Sequence, residues 1–68
     1  MELSKLKLLN KLLKYSDRYQ ISIQFWPSHT AVDIMKDGVD LQYYGGDFNY
    51  AIKSSMEYLD RITKNNQS

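Results

Sequence analysis

The chain has no cysteine, one histidine, one proline and three glycines in 68 residues. Without cysteine, no disulfide holds the fold and no thiolate serves as nucleophile or metal ligand. A zinc centre built from protein ligands needs several His or Cys side chains, which a lone histidine does not supply. No metal and no other cofactor is expected. Long apolar runs are missing too: lysines interrupt the leucines near the start every few residues. That pattern is neither the apolar core of a signal peptide nor a membrane span of roughly 20 residues, so a cytoplasmic chain without a membrane partner is expected. No internal repeat, linker or low-complexity tract appears. One domain over residues 1–64 with a frayed tail over 65–68 is the expected organisation.

A chain this short buries a modest share of its surface and relies on an efficient core or on association. Six Tyr, two Phe and one Trp suit either. Net charge is +1, but it is unevenly placed. Residues 1–19 carry five Lys or Arg against two acids, and residues 20–46 carry one Lys against three Asp. The folded molecule should have a basic end and a mildly acidic sheet.

Leu6, Leu9 and Leu13 form one helical stripe and Leu8, Leu12, Tyr15 and Tyr19 an adjacent one. Together they cover about half of a helix that starts near Ser4 as N-cap, wider than the apolar face of roughly 100° that a surface helix needs. The surplus predicts cover from two sides: the sheet, and a second helix or another subunit. The period then changes to two: Ile21, Ile23 and Phe25 alternate with Ser22, Gln24 and Trp26, a half-buried strand that Pro27 ends. Val32 and Ile34 resume the alternation, and Asp37-Gly38 is a two-residue hairpin turn. That turn, carried through, pairs Lys36 with Val39, Ile34 with Leu41 and Val32 with Tyr43 on one face. Met35 then opposes Asp40, Asp33 opposes Gln42 and Ala31 opposes Tyr44 on the other. Asp47 after Gly45-Gly46 is an N-cap for a last helix, with Phe48, Ala51, Ile52, Ser55, Leu59 and Ile62 inward. The expected fold is α+β, in the order αβββα: a three-stranded antiparallel meander with two helices on one face.

His29, between Ser28 and Thr30, is the only conventional acid–base residue, and no carboxylate is placed locally to orient its ring. Gly45-Gly46 precedes a helix, but Asp47 would repel an anion there. Asp33, Asp37 and Asp40 lack the acid density of a calcium loop. No catalytic residue is assigned and no enzyme is expected. Two surfaces remain. Trp26, Met35 and Tyr44 fall on the uncovered side of the sheet among Asp33 and Asp40, with Tyr50 on the polar side of the last helix; exposed aromatics among polar neighbours mark a protein-binding patch. Lys7, Lys11, Lys14 and Arg18 form a basic ridge that would track nucleic-acid phosphates.

The element order resembles that of the double-stranded RNA-binding domain, and so does Pro27-Ser28-His29 in the loop after the first strand, which in that family enters the minor groove. The family's lysine cluster at the start of the last helix is absent, replaced by Asp47-Phe48-Asn49-Tyr50 with Lys53 alone. In size and in its richness in Lys, Asn, Ile and Tyr, the chain is similar to small accessory proteins of phages and mobile elements in low-GC Gram-positive bacteria. That resemblance implies a stoichiometric inhibitor or modulator of a host or defence protein, such as a CRISPR nuclease or a replication or repair enzyme. The leading expectation is a non-enzymatic protein-binding module, with nucleic-acid binding as the alternative and a homodimer through the first helix compatible with both.

Overall fold

The computed structural model describes residues 3–65. In chain order these form helix α1 (Leu3–Leu13), a 3-10 turn (Lys14–Asp17), strands β1 (Gln20–Phe25), β2 (Thr30–Lys36) and β3 (Val39–Gly46), and helix α2 (Phe48–Asn65). The sheet is an antiparallel meander with β2 in the centre. The expected α+β class and αβββα order are therefore present. Asn65 closes α2, and the rest of the expected frayed tail lies outside the described residues.

Each element follows from local chemistry. Ser4 sits within the first turn of α1 and is not its N-cap. The helix also ends earlier than its apolar stripes suggest, passing at Leu13 into the 3-10 turn. There the Ser16 hydroxyl donates to the Leu13 carbonyl at 2.5 Å, a local bond of the kind by which Ser and Asp compete with helix continuation. Asp37 and Gly38 both have positive φ, 54° and 79°, the conformation a two-residue hairpin turn demands. The Asp47 carboxylate accepts the backbone N–H of Tyr50 at 2.7 Å, capping α2 as expected.

The core is one cluster. α2 lies across β2 and β3, while α1 packs along α2 and reaches β1 through the 3-10 turn. Both helices run in the same direction: Lys5 stands over the Phe48 ring at one end, and Tyr15 shares a groove with Met56 and Asp60 further along. Leu12, Val32, Ile34, Ile52 and Leu59 are fully buried, each stabilising the fold by about 1.5–3 kcal/mol. Ser55, also buried, donates its hydroxyl to the Ala51 carbonyl, so its burial leaves no orphan polar group. One core residue comes from each apolar stripe of α1, Leu9 and Leu12, so the line between the stripes faces inward.

The hairpin corrects the expected register. Lys36 opposes Val39 and Met35 opposes Asp40, but Ile34 opposes Gln42, not Leu41. An irregularity between Ile34 and Met35 leaves Leu41 as an extra residue of β3. Beyond it every partner moves by one: Asp33 opposes Tyr43 instead of Gln42, Val32 opposes Tyr44 instead of Tyr43, and Ala31 opposes Gly45 instead of Tyr44. Side chains alternate with period two, so a one-residue bulge exchanges the faces of everything after it. Leu41 still packs against the core from the bulge.

Candidate functional site

The face of the sheet away from the helices carries three cross-strand rows: Gln20–Met35–Asp40, Ser22–Asp33–Tyr43 and Gln24–Ala31–Gly45. Ala31 is only 2% exposed although no described helix lies on this side. Aromatic side chains stand near it at the ends of both neighbouring strands. The Tyr43 ring lies over Gly45, close enough that a Cβ there would sit 3.2 Å from ring atoms. From the other side the Trp26 indole N–H donates to the Gln24 amide oxygen at 3.4 Å and the ring stacks on His29, centroids 6.2 Å apart. Trp26 and Tyr43 remain 54% and 59% exposed. Two large aromatics thus stand at the Gln24–Ala31–Gly45 row, Tyr43 over Gly45 and Trp26 against Gln24, each with a polar tip and an open flank.

The electrostatics of this face have one sign. Asp33 and Asp40 are its charged side chains, and the one lysine of the strands, Lys36, turns to the opposite side, 5.1 Å above the Tyr19 ring. Met35, half-buried beside Asp40, adds an adaptable apolar surface. A side chain that suits this place has a cationic head for the carboxylates and an apolar stem for the rings.

Of the residues expected to form a protein-binding patch, Trp26, Met35, Asp33 and Asp40 do share this face. Tyr44 does not. The bulge turns it to the helix layer, where it meets Tyr58 and Tyr50 edge-to-face at 6.4 and 6.5 Å. Tyr50, 54% exposed, goes with it and belongs to the β3–α2 side. Tyr43 takes the position expected of Tyr44. The sequence signal for it is slight: a glycine two residues on, which leaves room for a ring to lie back along the strand.

The expected basic ridge is interrupted. Lys7, Lys11, Lys14 and Arg18 are all exposed, but α1 ends before Lys14, and Lys14 and Arg18 share their cleft with Asp17. Ser28 Oγ and His29 Nδ1 are hydrogen-bonded at 2.9 Å on the exposed loop. The ring's other flank is taken by Trp26, and no carboxylate bonds to it among the described residues. Among those residues no three His, Cys, Asp or Glu side chains are close enough to hold a metal ion. No described helix is long and apolar enough to cross a membrane. An open groove of about 520 Å³ between the helices is lined by Tyr15, Lys53, Met56, Glu57 and Asp60, away from the sheet face. Compared with known protein families, curated proteins and solved structures, the chain matches none of them.

Proposed function

We propose that this chain is a non-catalytic protein-binding module that presents the open face of its sheet to a partner with exposed basic side chains. One observation carries the reading. Trp26 and Tyr43, each more than half exposed, stand beside the buried Ala31 and two carboxylates, on a face that no described helix covers. Trp and Tyr anchors of this kind contribute on the order of 2 kcal/mol or more each when a partner seals them from water. Asp33 and Asp40 make the face unsuited to phosphates and suited to Lys or Arg. The size and composition of the chain favour a stoichiometric role, masking a host or defence protein as small phage accessory proteins do.

The test is capture by the tagged full-length chain from a low-GC Gram-positive lysate, with and without nuclease, beside the Trp26→Ala/Tyr43→Ala variant. The reading expects one stoichiometric protein that survives nuclease and is lost with the variant, whose circular dichroism stays that of the parent. Equal capture by a folded variant would remove the sheet face as the site. Loss of all bound material on nuclease treatment would transfer the function to Lys7, Lys11, Lys14 and Arg18, with affinity falling steeply with salt.

A further inference from the structure

The free edge of β1 is built differently from the free edge of β3. β3 carries the bulge at Leu41 with Asp40 beside it, devices that keep a sheet edge from pairing. β1, with the sequence Gln-Ile-Ser-Ile-Gln-Phe, has no charge, no proline, no glycine and an unbroken register. Its outward backbone groups can be assigned. Trp26 and His29 exchange both backbone hydrogen bonds, Trp26 N–H to His29 O at 2.9 Å and the reverse at 3.3 Å. In an antiparallel pair such residues alternate, so Gln24, Ser22 and Gln20 bond to β2 and the N–H and C=O of Ile21, Ile23 and Phe25 point away from it.

Those three residues are symmetric about Ile23. A second copy of the strand laid antiparallel across Ile23 pairs Ile23 with itself and Ile21 with Phe25, matching every outward N–H with an outward C=O. Side chains agree on both faces. Ile21, Ile23 and Phe25 meet their own kind on the helix side, and Ser22 opposes Gln24 on the open side. No like charges face each other, because the strand has none.

The layer above shows the same gap. Ile21 and Ile23 are only half-buried and Phe25 is 56% exposed, stacked on Phe48 but open on its other side. On α1, the Tyr15 flank is the one that meets α2. Leu6 and Leu13, 46% and 44% exposed, lie roughly a quarter turn from the Leu9–Leu12 line on the flank away from that groove.

We infer that the chain forms a two-fold homodimer through β1, joining two three-stranded sheets into one of six strands with Ile23 on the axis. Leu6, Leu13 and Phe25 of each copy close over the seam. The occupant is a second copy of this chain: the strand is uncharged, and laid antiparallel on itself it sets apolar against apolar on the helix side and Ser22 against Gln24 on the open side. The open faces then adjoin, presenting two Trp26–Tyr43 sites on one continuous surface.

The absence of native cysteine makes the test direct. Light scattering should give the mass of two chains for the parent and of one for the Ser22→Lys/Gln24→Lys variant, which places lysine opposite lysine at exposed positions. Mixing that variant with Ser22→Asp/Gln24→Asp should restore the two-chain mass. Ser22→Cys mixed with Gln24→Cys should oxidise to a cross-linked heterodimer, since these positions oppose each other. A parent that stays at one chain mass at several hundred micromolar would overturn the inference. So would a lysine variant that keeps the dimer, or cross-linking of Ser22→Cys with itself as the dominant product. None of these outcomes depends on the captured partner, so this inference and the binding reading fail separately.

Discussion

At the scale of single residues, stability rests on a few positions with defined jobs. Leu12 is wholly enclosed between the helices and the sheet; Leu12→Ala should cost about 2–5 kcal/mol. For a chain this small that is much of the total stability, and a denaturant melt should show a large fall in midpoint. Asp47→Ala removes the cap on the first turn of α2 and should cost about 1 kcal/mol. In a domain of this size that is a fall of about 4–8 °C in Tm by thermal melting. Gly38, with φ at 79°, sits where an L side chain is strained although nothing crowds it. Gly38→Ala should therefore destabilise by about 1 kcal/mol through the backbone alone. Trp26→Ala and Tyr43→Ala should behave differently. Both side chains are more than half exposed, so each should cost little stability and roughly 30-fold or more in partner affinity.

The elements show what was legible in the sequence and what was not. The strand at Ile21–Phe25, the Asp37-Gly38 turn and the cap at Asp47 all follow from local rules: side-chain period, positive-φ tolerance, a carboxylate near free N–H groups. The bulge at Leu41 has no local rule. Tyr43 and Tyr44 are adjacent and chemically alike, and which one faces the core depends on Tyr50 and Tyr58 arriving from α2. Tertiary packing decides, and Tyr44 left the expected site while Tyr43 entered it. The end of α1 is intermediate: Ser16 and Asp17 are turn-prone, but the leucine stripes run past them. The pairing of β1 makes a further prediction at this scale. In the dimer the amides of Ile21, Ile23 and Phe25 are bonded across the axis, so hydrogen exchange should find them protected. In the Ser22→Lys/Gln24→Lys monomer the same three should exchange quickly, while the amides at positions 22 and 24, bonded to β2, stay slow.

The whole molecule is two layers thick, 17 Å along its shortest Cα axis, with every described helix on one side and an open, acidic, aromatic sheet on the other. That division is the physical basis of the account: helices and inward strand positions supply the core, which frees the outward positions for a partner. Trp26 is the chain's sole tryptophan and stands within the proposed contact, so it reports on the contact without any label. Its fluorescence should be followed while the captured protein is titrated into the chain, with acrylamide quenching measured at saturation. Excitation at the red edge keeps the six tyrosines out of the signal, and the emission of the partner's own tryptophans is subtracted. A blue shift and a marked loss of quencher access are expected as the indole is sealed from water. Saturated binding that leaves both the emission and the quenching of Trp26 unchanged would show that the partner does not sit on this face.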